Sequence, residues 1–179
     1  MKKIYYIKKY VIHILAITAI DAETFDLPIK QNAIIVCTNR NNKFIYKCKP
    51  ENILIINFSD VEDKKDPEAF NRAHARKIIR FVKSLSNDVT DLYVCCSKGG
   101  SRSSAVAAAL LRMSGRKDKD VWNNPYYVPN TLVYFRLCRE YGLPITRFSS
   151  WIKKQKNNRA FKIAQKRKHC RYERWQILY

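Results

Sequence analysis

The octapeptide Cys96-Ser-Lys-Gly-Gly-Ser-Arg-Ser103 lies between the apolar run Asp91-Leu-Tyr-Val-Cys95 and the alanine-rich run from Ser104 to Arg112. This order reads as strand, tight loop, helix, and it directs the chain toward an α/β arrangement with the loop at a strand's carboxyl end. Gly99 and Gly100 allow the backbone angles that turn successive N–H groups inward. The unpaired N–H groups and positive end of the following helix meet at the same place, so the loop can cradle an anion. That field favours a thiolate over a thiol at Cys96, which becomes the candidate nucleophile. Arg102 offers a planar fork that can hold two oxygens of a phosphoryl group, which a lysine cannot do. Ser103 can donate a hydrogen bond to the sulfur and ease its departure. The phosphate-binding set is therefore Ser97, Lys98, Gly99, Gly100, Ser101, Arg102 and Ser103. A glycine pair used only as punctuation needs neither the thiol nor the arginine. An ATP-binding P-loop is a poor match, because it needs Gly-Lys-Ser/Thr where this helix opens with Ser101, Arg102 and Ser103.

Together these residues resemble the C-x5-R-S/T loop of the cysteine-dependent protein tyrosine phosphatases. Within that family they are similar to the compact dual-specificity type, and especially to small bacterial proteins whose loop is followed by an alanine-rich helix. The resemblance runs from about Ile12 to Leu143 and is strongest from Phe58 to Arg112. It implies a protein tyrosine phosphatase-like α/β fold, a central mixed sheet flanked by helices. It also implies hydrolysis of phosphotyrosine or phosphoserine/threonine in proteins through a cysteinyl-phosphate, with no metal or other cofactor, since arginine and loop amides supply the positive field. One departure is visible: the family commonly places histidine before the nucleophile, and this chain has Cys95. That histidine orients the loop and tunes the thiolate.

Such a reaction needs a proton donor for the leaving oxygen. The segment from Asn57 to Phe70 follows the apolar run Ile53 to Ile56, carries Asp60, Asp63 and Asp66, and precedes a helical pattern of Phe70, Ala73, Ile78, Phe81 and Val82. Asp66 before Pro67 reads as an N-cap and first-turn pair. Counting back from Phe70, aligned with the equivalent aromatic of the family's helix, puts Asp60 at the general-acid position, with Asp63 as the second candidate.

Length fits one domain with a real core, divided as a catalytic domain over 1–148 and a basic helix or tail over 149–179. Thirty-five basic against fifteen acidic residues give +20, which predicts attraction to phosphate-bearing partners. From Trp151 to Tyr179 ten Lys or Arg stand against one Glu, interleaved with Trp151, Phe161, Tyr172 and Trp175. Asn157-Asn158 followed by Arg159 to Tyr172 reads as a basic helix with Phe161, Ile163 and Ala164 as a thin apolar edge, docking on the domain or contacting RNA or another polyanion. Lys98 adds a cation to the loop, so RNA 5′-phosphates and phosphoinositides compete with phosphoproteins as substrates. A non-catalytic phosphate-binding module is the reading of a different class, although a binder has no use for the Cys96 thiol.

The six cysteines, at 37, 48, 95, 96, 138 and 170, show no C-x-x-C spacing and no paired histidines, so no zinc site or disulfide framework is indicated and a reducing, cytoplasmic setting is expected. Met1-Lys-Lys-Ile before Val11 to Ile20 has the charge order of a signal peptide, but His13 interrupts the run and Asp21-Ala-Glu23 follows; a buried first strand fits better. No apolar stretch is long enough to span a bilayer. Further strands are expected at Ala33 to Cys37, Phe44 to Tyr46 and Ile53 to Ile56, with Asn39 to Asn42 as a turn. The later half reads as helices: Ser103 to Met113 closed by Gly115, Asp118 to Trp122, and Thr131 to Tyr141 capped by Asn130 and closed by Gly142. The tyrosines between Pro125 and Pro129 read as packing or as a wall of the site.

Overall fold

The computed structural model of the chain describes residues 7–16, 31–39, 50–166 and 177–178. Five strands form one sheet in the order β3-β2-β4-β1-β5: β1 (Val11–Ala16), β2 (Asn32–Thr38), β3 (Ile53–Asn57), β4 (Asp91–Cys96) and β5 (Ile177–Leu178). β1 to β4 are mutually parallel, and β5 adds antiparallel to β1. The described residues also form five α-helices, α1 (Arg72–Ser84), α2 (Arg102–Met113), α3 (Lys119–Asn123), α4 (Thr131–Tyr141) and α5 (Arg147–Lys166), and a 3-10 turn at Pro50–Asn52 before β3. The architecture is mixed α/β. The expected strand at Phe44 to Tyr46, most of the turn beside it, Cys48, Cys170 and the run from 167 to 176 lie outside the described residues.

The central strands β2 and β4 are apolar almost without alternation, and β2 is buried along its whole length. That is the pattern of parallel strands covered on both faces. Ile12, Ile14, Ala33, Ile35, Cys37, Ile56, Leu92, Val94 and Cys96 line one face and meet the inner sides of α1, α2 and α4. The alanines of α2 leave little between helix axis and sheet, so this helix is buried almost throughout. In register, Cys96 stands beside Ala16 on one side and Cys37 on the other, and Thr38 beside Asn57. All four parallel strands therefore end at one edge, where the crevice of an open parallel sheet forms.

Two helix boundaries differ from the sequence reading. Asp66 does not cap a helix: its Oδ1 accepts from Glu68 N, the Asx turn holding Pro67, and Ser59 bridges Ala69 before the helix can begin. α1 starts later, at Arg72, where Asn71 Oδ1 accepts from His74 N and His74 Nδ1 accepts from Asn71 N. Burial and the nearby Lys77 and Arg136 hold the His74 pKa below its ordinary value, which suits an acceptor ring nitrogen. The shift turns Ala75 rather than Ala73 inward with Ile78, Phe81 and Val82. The second difference is α5, which begins at Arg147, before the expected Asn157 start, so the 148/149 division falls in its first turn. Asn157 is no N-cap; buried, it donates through Nδ2 to the carbonyls of Trp122 at 2.9 Å and Asn124 at 3.2 Å and pins the helix onto α3. Ile163, expected on the docked edge, is exposed. The other boundaries match closely, α4 above all, with Asn130 accepting from Leu132 N and Val133 N and Gly142 at φ 96°. Among the described residues no helix is long and apolar enough to cross a membrane.

Candidate active site

β4 ends at Cys96, and α2 begins at Arg102, so the expected loop stands at the sheet's carboxyl edge. Gly99 is required there twice over. Its φ of +67° is left-handed, and a Cβ would come within 2.7 Å of Ala16 N and 2.8 Å of Leu15 C, because the loop turns back against the end of β1. Gly100 carries no such demand; a Cβ would meet Tyr126 O at 3.6 Å, an ordinary contact. The loop is closed by its own turn, Gly99 N donating to Cys96 O, and braced from outside by Val128 N to Gly100 O and by Ser104 Oγ to the carbonyls of Gly100 and Ser101. The Pro125 to Pro129 run thus walls the loop with its backbone, while Tyr127 is buried as packing.

Within the loop, Cys96 Sγ lies 3.1 Å from Ser103 Oγ. Arg102 is only 4% exposed, and its fork is fixed by two of its nitrogens: Nη1 donates to Phe58 O at 3.0 Å and Nη2 to Ser97 Oγ at 2.6 Å. Its third donor, Nε, is buried with no hydrogen-bond partner among the described residues. A buried guanidinium N–H without an acceptor is costly unless an anion arrives to take it. The first N–H groups of α2 also lack intrahelical acceptors, and Ser101, the N-cap, does not fold its side chain back onto them. Its hydroxyl donates instead to Asp60 Oδ1 at 2.8 Å.

Asp60 is therefore the acidic residue that reaches the loop. Asn130 Nδ2 donates to the same Oδ1 at 2.9 Å and to Val61 O, while Asn130 N donates to Ser101 O. Both side-chain donors address Oδ1 and leave Oδ2 free of them. Asp63 faces elsewhere, its Oδ1 accepting from Lys65 N in an exposed local turn. Glu62 ties the same segment down, taking Thr131 N on one oxygen and Lys154 Nζ on the other, and these bonds hold its pKa low against the opposing effect of burial. Lys98 and Ser97 are exposed, Ser97 with its Oγ turned to Arg102 Nη2.

Three partners of this site escaped the sequence reading: Asn130, seen there only as a helix cap; the Phe58 carbonyl; and Cys37, the register neighbour of Cys96. Burial, then the Cys96 charge, pushes the Cys37 thiol far up, and burial pushes Cys138 up to about 12, so neither competes as a thiolate at neutral pH. Cys95, where the resembled family has histidine, is fully buried in register with Leu15 and Val36. Among the described residues no group of three or more His, Cys, Asp or Glu side chains is placed to hold a metal ion. No family model matches this chain, and no curated protein matches it significantly.

Proposed function

We propose that this chain is a cysteine-dependent phosphomonoester hydrolase with a protein tyrosine phosphatase-like fold, working through a cysteinyl-phosphate. The observation that carries this reading is the buried, unpaired Nε of Arg102, held in a loop that also contains Cys96 and Ser103. In the first step Cys96 Sγ attacks phosphorus, the ester P–O bond breaks, and Asp60 gives its proton to the leaving oxygen. Loop amides and Arg102 hold the three equatorial oxygens. In the second step water attacks phosphorus, the P–S bond breaks, Asp60 takes the water's proton, and the Ser103 hydroxyl, 3.1 Å from the sulfur, stabilises the departing thiolate. Para-nitrophenyl phosphate in a mildly acidic, metal-free buffer tests the scheme; turnover blocked by vanadate is expected, and absence of phosphate release would leave only a phosphate-binding module.

The role of Asp60 has its own signature. Asp60→Asn is expected to slow aryl phosphates with poor leaving groups by about 100-fold or more, and those with good leaving groups far less, because only the former need the proton. A rate series across substituted phenyl phosphates reads this directly. Equal losses along the series would move the acid to Asp63. The chemistry is common to phosphoproteins, RNA 5′-phosphates and phosphoinositides; what separates them lies on the surface around the loop.

A further inference from the structure

α5 is unusual in its charge and in what it leaves exposed. Its twenty residues carry seven Lys or Arg and no Asp or Glu. Of the four large apolar side chains exposed among the described residues, three lie on it: Phe148 at 67%, Trp151 at 52% and Ile163. Phe148 and Trp151 stack on each other, with ring centroids 5.8 Å apart and planes 17° off parallel. Lys153 and Lys154 turn inward to Asp118 and Glu62, while Lys156, Arg159 and Lys162 are exposed. The aromatic end borders a cleft lined by Glu62, Thr131, Phe135, Arg147 and Trp151, on the flank of the segment that delivers Asp60 to the loop.

We propose that this face of α5 is a docking surface for a single-stranded polynucleotide, which it leads by a phosphate end toward the Cys96 loop. The inference rests on the phosphatase reading for what the site does to that end, and names its substrate class. Arrangement decides between polynucleotide and membrane. At 3.6 residues per turn Phe148, Trp151, Arg159 and Lys162 fall within one sector of about 80°. A helix that lies on lipid separates its apolar stripe from its cationic face; here rings and cations share one face. A single strand presents bases and phosphates side by side, so rings that stack bases and cations that meet phosphates belong together. From Trp151 to Lys162 the helix runs about 16 Å, room for a short run of nucleotides.

The test uses full-length Cys96→Ser protein, which leaves the probe intact, and a 5′-phosphorylated, 3′-fluorescein oligouridylate dodecamer followed by anisotropy. Binding is expected that weakens steeply with salt and quenches tryptophan emission. Adding Phe148→Ala with Trp151→Ala should weaken it about 10- to 100-fold. Arg159→Glu with Lys162→Glu should weaken it and flatten the salt dependence. Thermal melting checks that these exposed changes leave the fold in place. The proposal is overturned if both pairs bind like the parent, if duplex RNA binds as tightly and without regard to the rings, or if phosphatidylserine vesicles bind through the rings and the oligonucleotide does not. Because no turnover is read, failure of aryl phosphate hydrolysis removes the phosphatase and leaves the docking surface, whereas binding blind to both pairs removes the docking surface and leaves the phosphatase.

Discussion

Cys96→Ser protein is expected to fold, to bind phosphate-bearing ligands and to release no phosphate, a loss of about four orders of magnitude or more. The substitution is nearly isosteric, and the pocket it occupies is buried between β4 and α2, so packing changes little. Chemistry changes completely. A thiolate attacks without help, but a serine hydroxyl needs a base to take its proton. The neighbour at 3.1 Å is the Ser103 hydroxyl, which cannot serve as one. Among the described residues no histidine bonds Cys96; His74 is committed to the start of α1 and His13 to Asp91. Binding should persist, because the Arg102 Nε and the N–H groups of α2 stay. Steady-state release of phosphate, beside calorimetric binding of inorganic phosphate, separates the two effects. Residual turnover near the wild-type rate would mean that Cys96 is not the nucleophile.

The loop was legible because its chemistry is contiguous. Thiol, glycines, arginine and hydroxyl fall within eight residues, and their order alone places them between strand and helix. Boundaries marked by one residue's backbone demand were equally plain: Asn130 and Gly142 bound α4 where the sequence puts them. Asp66-Pro67 misled because an Asx turn and a helix N-cap use the same carboxylate-to-amide bond; here the turn runs on to Ala69, which bridges Ser59, and the helix begins only at Arg72. Asn157 misled in the opposite sense, since a polar residue that bonds the end of another helix looks in sequence like a place to start one. The contacts that assemble the site span long separations. Ser101 meets Asp60 across 41 positions and Asn130 meets Asp60 across 70, so no local pattern could join them. Cys37 came beside Cys96 only through strand order, which places β2 against β4 rather than against β1.

Arg102→Lys keeps the charge and is still expected to cost about 100- to 1000-fold in kcat/KM, the scale of removing an oriented donor from a transition state. Arg102 is held at two nitrogens, Nη1 on the Phe58 carbonyl and Nη2 on the Ser97 hydroxyl, while its buried Nε has no partner among the described residues. A lysine ammonium has three donors, but they diverge from a single nitrogen on a flexible stem. It can satisfy the carbonyl or reach a phosphoryl oxygen, not both in the geometry a planar fork provides. If it stays with Phe58 O, the phosphoryl group loses its bidentate partner and kcat falls at little cost in stability. If it turns to the phosphoryl group, a buried carbonyl is orphaned, which costs about 1–3 kcal/mol, and the Asp60 segment that follows Phe58 loses one of its anchors. Melting temperature measured beside kcat and KM, with and without saturating vanadate, tells the two apart. A lysine variant with wild-type kcat/KM and stability would show that charge alone suffices at this position, and the assignment of Arg102 as an oriented phosphoryl clamp would fall with it.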